Sequence, residues 1–245
     1  MVNASLVEAS GTWKNGTSPL SLAERAYHLI LDQMLRGKLP IGSVLSRRKL
    51  AEQFHMSLVP VAQALQRLEI EGLLESRPRA GTRVKVPNAD EIRERFELRQ
   101  ALECQSARLC AERATFQERL ELGRLAVNLD CLFATVASQE PSGDQAFAVN
   151  KYHEDLHKKI AECARSELLK AEIDKTHVLL FNWLFDITSG RRPLPPNFHR
   201  ELIDVIVKGN PQEAEDCMRQ HVIYGLESTQ RTLEPLHREN WRLKH

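Results

Sequence analysis

Between residues 21 and 72 the sequence repeats one pattern, in which a serine precedes a stretch with apolar residues at helical spacing. Ser21 and Glu24 have the S-x-x-E spacing of a capping box, and Gly37 follows the last apolar residue of that stretch. Ser46 and Ser57 are placed to cap a second and a third helix. These signals predict three short amphipathic helices, each of which must bury its apolar side against the others.

The stretch after Gly72, LLESRPRAGTRVKV, has the pattern of two short strands around a basic turn rich in Pro and Gly. The order of helix, helix, helix and hairpin predicts a winged helix-turn-helix. In that motif the third helix enters the major groove of DNA.

The balance of basic and acidic residues changes at the end of the predicted winged helix-turn-helix, after residue 87. Residues 21–87 carry 11 Lys or Arg and 6 Asp or Glu, whereas residues 88–245 carry 22 and 26. The first part therefore has a net charge of +5 and the second of −4. A basic part followed by an acidic part indicates that only the first binds nucleic acid.

The second part has few β-branched alternations and many segments with helical periodicity. Residues 88–114 are predicted to form one long amphipathic helix, and further helical segments follow between short breaks. We therefore predict a mainly α chain with four parts: a flexible tail over residues 1–18, a winged domain over 19–87, an all-α helical bundle over 88–235 and a polar tail over 236–245.

The five cysteines form no CxxC pair, which favours buried, reduced thiols. The first residues lack the apolar core of a signal peptide, and no apolar run approaches the roughly 20 residues of a membrane span. A cytoplasmic protein without a membrane partner is expected.

Two histidines, His153 and His157, lie four positions apart in a segment predicted to be helical. Such residues share a helix face and can bind one metal ion, although the spacing is also common on solvated faces. His199 and His221 lie in two further predicted helices, which are joined by a Gly-Asn-Pro turn. An antiparallel arrangement of those two helices would bring both imidazoles to one level.

The stretch from LAEQF through ALQRLEIEGLL to the predicted turn RPRAGTRV resembles the GntR family of DNA-binding domains. The stretches RQALECQSARLCAERA, LHKKIAECARSELL and HRELIDVIVKGNPQEAEDCMRQHV are similar to the ligand-binding FCD domain of the FadR type. The resemblance implies a homodimeric transcriptional regulator that binds a palindromic double-stranded DNA operator and responds to a small metabolite.

Many FCD domains hold a metal with one aspartate and three histidines. By that resemblance His157, His199 and His221 take the histidine positions, and His153 stands where the aspartate is usual. Four imidazoles favour a divalent transition metal, with zinc the first expectation and nickel an alternative. A three-histidine site without His153, or a polar network without metal, remains open.

Arg99 matches an arginine of the first FCD helix. It is expected either to hold the carboxylate of a small organic-acid effector or to form a salt bridge with Glu103 on the helix surface.

Two other roles for the histidines also remain open, namely a metal-dependent enzyme and a structural metal site that closes its shell with all four imidazoles.

The start of the third helix departs from the GntR family, because Leu58 and Ala62 replace the two arginines that usually contact DNA. Either the operator is unusual or DNA binding is weakened. Leu58 and Val59 are able to touch thymine methyl groups, and Gln63 to bind adenine. The DNA-binding residues expected from the sequence are Arg47, Arg48, Lys49, Ser57, Leu58, Val59, Gln63, Arg67, Arg79 and Arg83.

Overall fold

The computed structural model describes residues 20–78, 81–137, 143–175 and 194–242. The first part of the chain contains three helices and three short strands. Their bounds are α1 Leu22–Leu35, β1 Val44–Leu45, α2 Arg47–Phe54, α3 Leu58–Ile70, β2 Leu74–Arg77 and β3 Gly81–Val84.

Two of the three predicted serine caps are present. The Ser21 hydroxyl accepts the amide proton of Glu24, and the Glu24 carboxylate accepts the Ser21 amide proton in return, which completes the capping box. Ser46 caps α2 through the amide of Lys49. The predicted cap at Ser57 is wrong, because its side chain makes no hydrogen bond to α3. The first amides of α3 therefore have no side-chain acceptor.

The strands form one antiparallel sheet in the order β1–β3–β2. Strands β2 and β3 are the predicted hairpin, with Leu74 opposite Val84 and Arg77 opposite Gly81. The sequence indicated only a short extended piece near Val44, and the structure adds it to the sheet through its pairing with Arg83. The prediction of three helices and a hairpin wing is confirmed.

The rest of the described chain is helical, which confirms the all-α prediction for this part. Its elements are α4 Ala89–Arg99, a π-helical turn over Gln100–Cys104, α5 Gln105–Arg113, α6 Phe116–Ala137, α7 Gly143–Cys163, α8 Glu167–Lys175, α9 Phe198–Lys208 and α10 Pro211–Arg242. The long helix expected over residues 88–114 is present as a continuous helical stretch from Ala89 to Arg113, with the π turn inside it. A π turn adds a residue to one helical turn, and therefore rotates the side chains that follow it.

Arg119, at the start of α6, joins the ends of two other helices. Its guanidinium donates to the carbonyl oxygens of Ala111 and Ala114, at the end of α5, and of Val207, at the end of α9. Carbonyls in the last turn of a helix have no partner within the helix. One side chain thus satisfies three such groups, and it fixes α9, which carries His199, against α5.

Replacing Arg119 by methionine should lower the free energy of unfolding by about 3 kcal/mol, because three carbonyls lose a charged donor. Guanidinium chloride denaturation followed by circular dichroism measures the change. Arg124, which is exposed on the same helix, supplies the matched control. Its replacement by methionine should change stability by no more than about 0.5 kcal/mol, and equal losses at the two positions would contradict the bridging role.

Some predicted features lie outside the described residues, among them the tail over 1–18, Arg79 and the last three residues of the chain. Helix α10 continues to Arg242, into the segment predicted as a polar tail. Among the described residues, no helix combines the length and apolar character that crossing a membrane requires.

Candidate metal centre and DNA-binding face

Helix α7 presents His153 and His157 on one face, as their four-residue spacing requires. Their Nε2 atoms lie 3.0 Å apart. His157 is buried, whereas His153 is half-buried. Two nitrogens that bind one tetrahedral zinc ion at 2.0–2.1 Å would lie about 3.4 Å apart. The observed separation is therefore close to that of two ligands of one ion.

The other two histidines come from helices α9 and α10. Gly209 takes a positive φ of 83° at the end of α9, which allows the chain to turn directly into α10. His199, in the first turn of α9, and His221, in α10, then face each other with ring centroids 5.3 Å apart. Both side chains are buried.

The structure brings all four predicted histidines together, but not equally. One ligand nitrogen from each of His153, His157 and His221 lies within 4.8 Å of the others. The ring of His199 is adjacent, with centroids 5.0 Å from that of His153, although it is not part of this closest set. The geometry thus favours three converging imidazoles with the fourth alongside.

Two carboxylates that the sequence did not predict at the site contact the Nδ1 atoms of two of the imidazoles. Glu103 Oε2 lies 2.6 Å from Nδ1 of His157, and Asp130 Oδ1 lies 2.7 Å from Nδ1 of His199. Asp130 also accepts the backbone amides of His199 and Arg200 at the start of α9. The hydrogen bond between Asp130 and Nδ1 of His199 keeps a proton on that nitrogen and leaves Nε2 of His199 free to bind a metal.

The surroundings of His153, His199 and His221 lower their pKa values, which favours the neutral form that binds metal. Burial, followed by the charges of neighbouring histidines, lowers the pKa of His153 and of His221 well below the ordinary value. Burial also lowers the pKa of His199, although Asp130 partly opposes it. Nδ1 of His221 is buried without a hydrogen-bond partner. A buried unpaired nitrogen among converging imidazoles fits a metal ligand set.

Arg99 and Glu103 form an ion pair, but not on the helix surface as the sequence suggested. Arg99 is only 2% exposed, and its Nε donates to Glu103 Oε1 at 2.6 Å. The π turn between them carries Glu103 inward, where it contacts both Arg99 and His157. Nη1 of Arg99 is buried without a hydrogen-bond partner. The charge of Arg99 contributes to the lowered pKa of His153 and of His221, so it acts within range of the histidine cluster.

Most of the predicted DNA-binding residues that the structure describes are exposed on the winged part. Ser57, Leu58, Val59 and Gln63 are exposed at the start of α3. Arg47, Arg48 and Lys49 are exposed at the start of α2. Helices of this motif contact base edges through the N-terminal residues of the third helix.

Several of the predicted cations are held by neighbouring acids. Arg48 pairs with Glu52 at 3.1 Å, and Arg83 with Glu75 at 2.5 Å. Arg67 pairs with Glu71 at 2.9 Å and lies over the Tyr27 ring. Among the predicted contact residues in the described ranges, Arg47 and Lys49 show no ion pair and are the cations best placed to reach phosphate.

Comparison with known families matches both parts of this arrangement. Residues 22–84 match the family described as bacterial regulatory proteins of the gntR family, and residues 94–223 match the FCD domain. The FCD match alone spans more than half of the chain. The chain belongs to the GntR family. It is a transcriptional regulator that joins a GntR helix-turn-helix domain to an FCD domain.

Curated relatives of this GntR-family regulator carry similar descriptions. It is 26% identical over 212 residues to a probable D-xylose utilization operon transcriptional repressor of Paenarthrobacter nicotinovorans, covering 85% of this chain and 89% of the relative. It is 25% identical over 219 residues to the transcriptional repressor RspR of Escherichia coli K12, covering 86% and 89%. These relatives are transcriptional regulators, in line with a role other than catalysis.

A solved structure shares the fold. The GntR regulator from Rhodococcus sp. RHA1 superposes with a TM-score of 0.67 at 20% identity, covering 86% of this chain and 98% of the other. At that identity the comparison supports the architecture alone.

Proposed function

We propose that this regulator is a metal-dependent sensor of a small organic acid. Residues 19–87 would form the DNA-binding domain and residues 88–235 the sensing domain of a homodimer. A divalent transition metal would bind among the four histidines, and an acid at that metal would change the affinity of the dimer for its operator. The observation that carries the proposal is the convergence of three imidazole nitrogens within 4.8 Å.

The ligand set decides the class of metal. His153, His157 and His221 would bind the ion directly, with His199 as the fourth candidate. Imidazoles favour zinc or nickel over magnesium and calcium, which prefer oxygen. When bound, such an ion supplies a Lewis-acidic centre for an anion.

Charge decides the class of effector. Glu103 and Asp130 contribute two negative charges behind the imidazoles, and Arg99 contributes one positive charge. A divalent ion would therefore leave the buried site with a net charge of +1, which an anionic ligand neutralises. The unpaired Nη1 of Arg99 is the donor best placed to hold one carboxylate oxygen of that acid.

Removal of metal should lower the melting temperature by about 5–10 °C. This follows because a ligand at 100 times its dissociation constant stabilises a fold by about 2.7 kcal/mol, and each kcal/mol shifts a chain of this size by about 2–4 °C. Thermal denaturation before and after chelation measures the shift. Zinc or nickel should restore the original value, whereas magnesium should not. No change on chelation would contradict a bound metal.

The same assay tests the effector. Organic acids should raise the melting temperature of the metal-loaded protein and leave the chelated protein unchanged. Equal stabilisation in both forms would place the acid elsewhere, and stabilisation by none of the acids would contradict the sensing role.

Sedimentation of the metal-loaded protein, alone and with its operator, tests the homodimer.

A further inference from the structure

We propose that this protein identifies its operator through apolar contacts of Leu58 and Val59 with thymine methyl groups, an inference that rests on DNA binding by the winged domain. Leu58 is 55% exposed and Val59 is 65% exposed in the first turn of α3. Their neighbours Pro60 and Val61 are buried and anchor the same turn to the core. Two large apolar side chains are thus held rigidly at the surface, at the end of the helix that meets bases.

One stripe of the exposed surface of α3 carries no charge. Val59, Gln63, Gln66 and Ile70 follow at spacings of three and four residues, so they lie on one side of the helix. The one cation of α3, Arg67, is drawn toward Tyr27 and Glu71 instead. This stripe therefore contains no guanidinium group, which is the group that recognises guanine bidentately.

The surroundings of this face favour DNA over a protein partner. Residues 21–87 carry a net charge of +5, and Arg47 and Lys49 are exposed at the start of the neighbouring helix α2. Because Ser57 does not cap α3, the first amides of the helix have no side-chain acceptor and can donate to a phosphate. In this arrangement the apolar patch would face the bases in a groove. The cations and free amides beside it would contact the phosphates on both sides of that groove.

The chemistry of the face selects A·T pairs. Thymine is the only base that presents a methyl group in the major groove, and Leu58 and Val59 offer aliphatic surface to cover it. Gln63 lies one turn after Val59, and its amide has the donor and acceptor that pair with N7 and N6 of adenine. The operator core in each half-site is therefore expected to contain thymine opposite the start of α3.

Deoxyuridine tests the contact, since it pairs as thymine does and lacks only the methyl group. A duplex is first selected from a random pool by the wild-type, full-length protein. Each thymine of the selected half-site is then replaced by deoxyuridine, and affinity is measured by fluorescence anisotropy at fixed salt. Loss of one buried methyl should weaken binding about fourfold at one or two positions.

Variants assign the effect to residues. In Leu58→Ala and Val59→Ala, the thymine and uracil duplexes should bind with nearly equal affinity, because the methyl has lost its partner. Leu22→Ala is the matched control, since Leu22 is 58% exposed at the start of α1. That variant should keep the fourfold preference.

The possible results distinguish a failure of the methyl contacts from a failure of DNA binding, on which the inference rests. Selected sites without thymine in the core, or a uracil penalty that persists in both alanine variants, would overturn the methyl contacts while leaving DNA binding intact. A change of oligomeric state in the alanine variants with unchanged DNA affinity would also overturn them, because the face would then bind protein. Failure to select any duplex over random DNA would instead overturn the proposed function.

Discussion

Replacing His157 by alanine is expected to remove nearly all metal from the purified protein. His157 contacts both another histidine and a supporting carboxylate: its Nε2 lies 3.0 Å from that of His153, and its Nδ1 lies 2.6 Å from Glu103. Loss of an outer hydrogen-bond partner alone weakens metal sites about 10–100-fold. Loss of the ligand itself should exceed that range. Metal content per chain, measured by mass spectrometry after dialysis, gives the result.

The control for this variant is His28→Ala, since His28 lies in α1 of the winged part. It should retain the metal content of the wild type. His157→Gln, which keeps more of the side-chain volume, guards against loss of metal through unfolding, and circular dichroism reports the fold of each variant. Wild-type metal content in a folded His157→Ala variant would contradict the assignment of the metal site to this histidine.

His199→Ala then distinguishes two forms of the centre. If three imidazoles bind the ion, this variant should retain more metal than His157→Ala, and a coordination position stays open for the acid. If its loss is equally complete, all four histidines close the shell. A closed shell would indicate a structural metal and contradict acid binding at the ion.

Sequence patterns were sufficient to propose two pairs of histidines, and the resemblance to FCD domains joined the pairs into one set. The four-residue spacing in α7 fixes the relation of His153 to His157, and the Gly-Asn-Pro turn indicates the antiparallel pair that brings His199 near His221. The caps and glycine stops likewise predicted the three helices of the winged part. Each of these signals is local, or joins consecutive helices.

The supporting carboxylates were not predictable in the same way. Asp130 meets His199 across 69 residues, because α6 packs against α9, and no local pattern encodes that contact. Glu103 has the four-residue spacing of a surface partner for Arg99. It is instead turned inward by the π turn, which straight-helix periodicity does not anticipate. Local sequence patterns did not indicate how one helix packs against another, and that packing places the two carboxylates.

The second large effect is expected at that inward-facing pair. Glu103→Leu should lower the free energy of unfolding by about 3–5 kcal/mol, because it leaves the Arg99 guanidinium buried without a counter-ion. The measurement is chemical denaturation in the presence of chelator, so that metal binding does not contribute. Glu52→Leu is the matched control: Glu52 forms the same i,i+4 pair with Arg48, but both side chains are exposed. It should change stability by no more than about 0.5 kcal/mol.

The double variant Arg99→Met/Glu103→Leu separates stability from sensing. Replacing both members of a buried ion pair by apolar residues removes the unpaired charge, so most of the lost stability should return. His157 would still lack the carboxylate at its Nδ1, and metal affinity should fall about 10–100-fold. At saturating metal, the double variant should fold and hold the ion but no longer respond to organic acids. A retained acid response would show that Arg99 does not hold the effector, whereas a loss of stability as large as in Glu103→Leu would contradict the uncompensated charge as its cause.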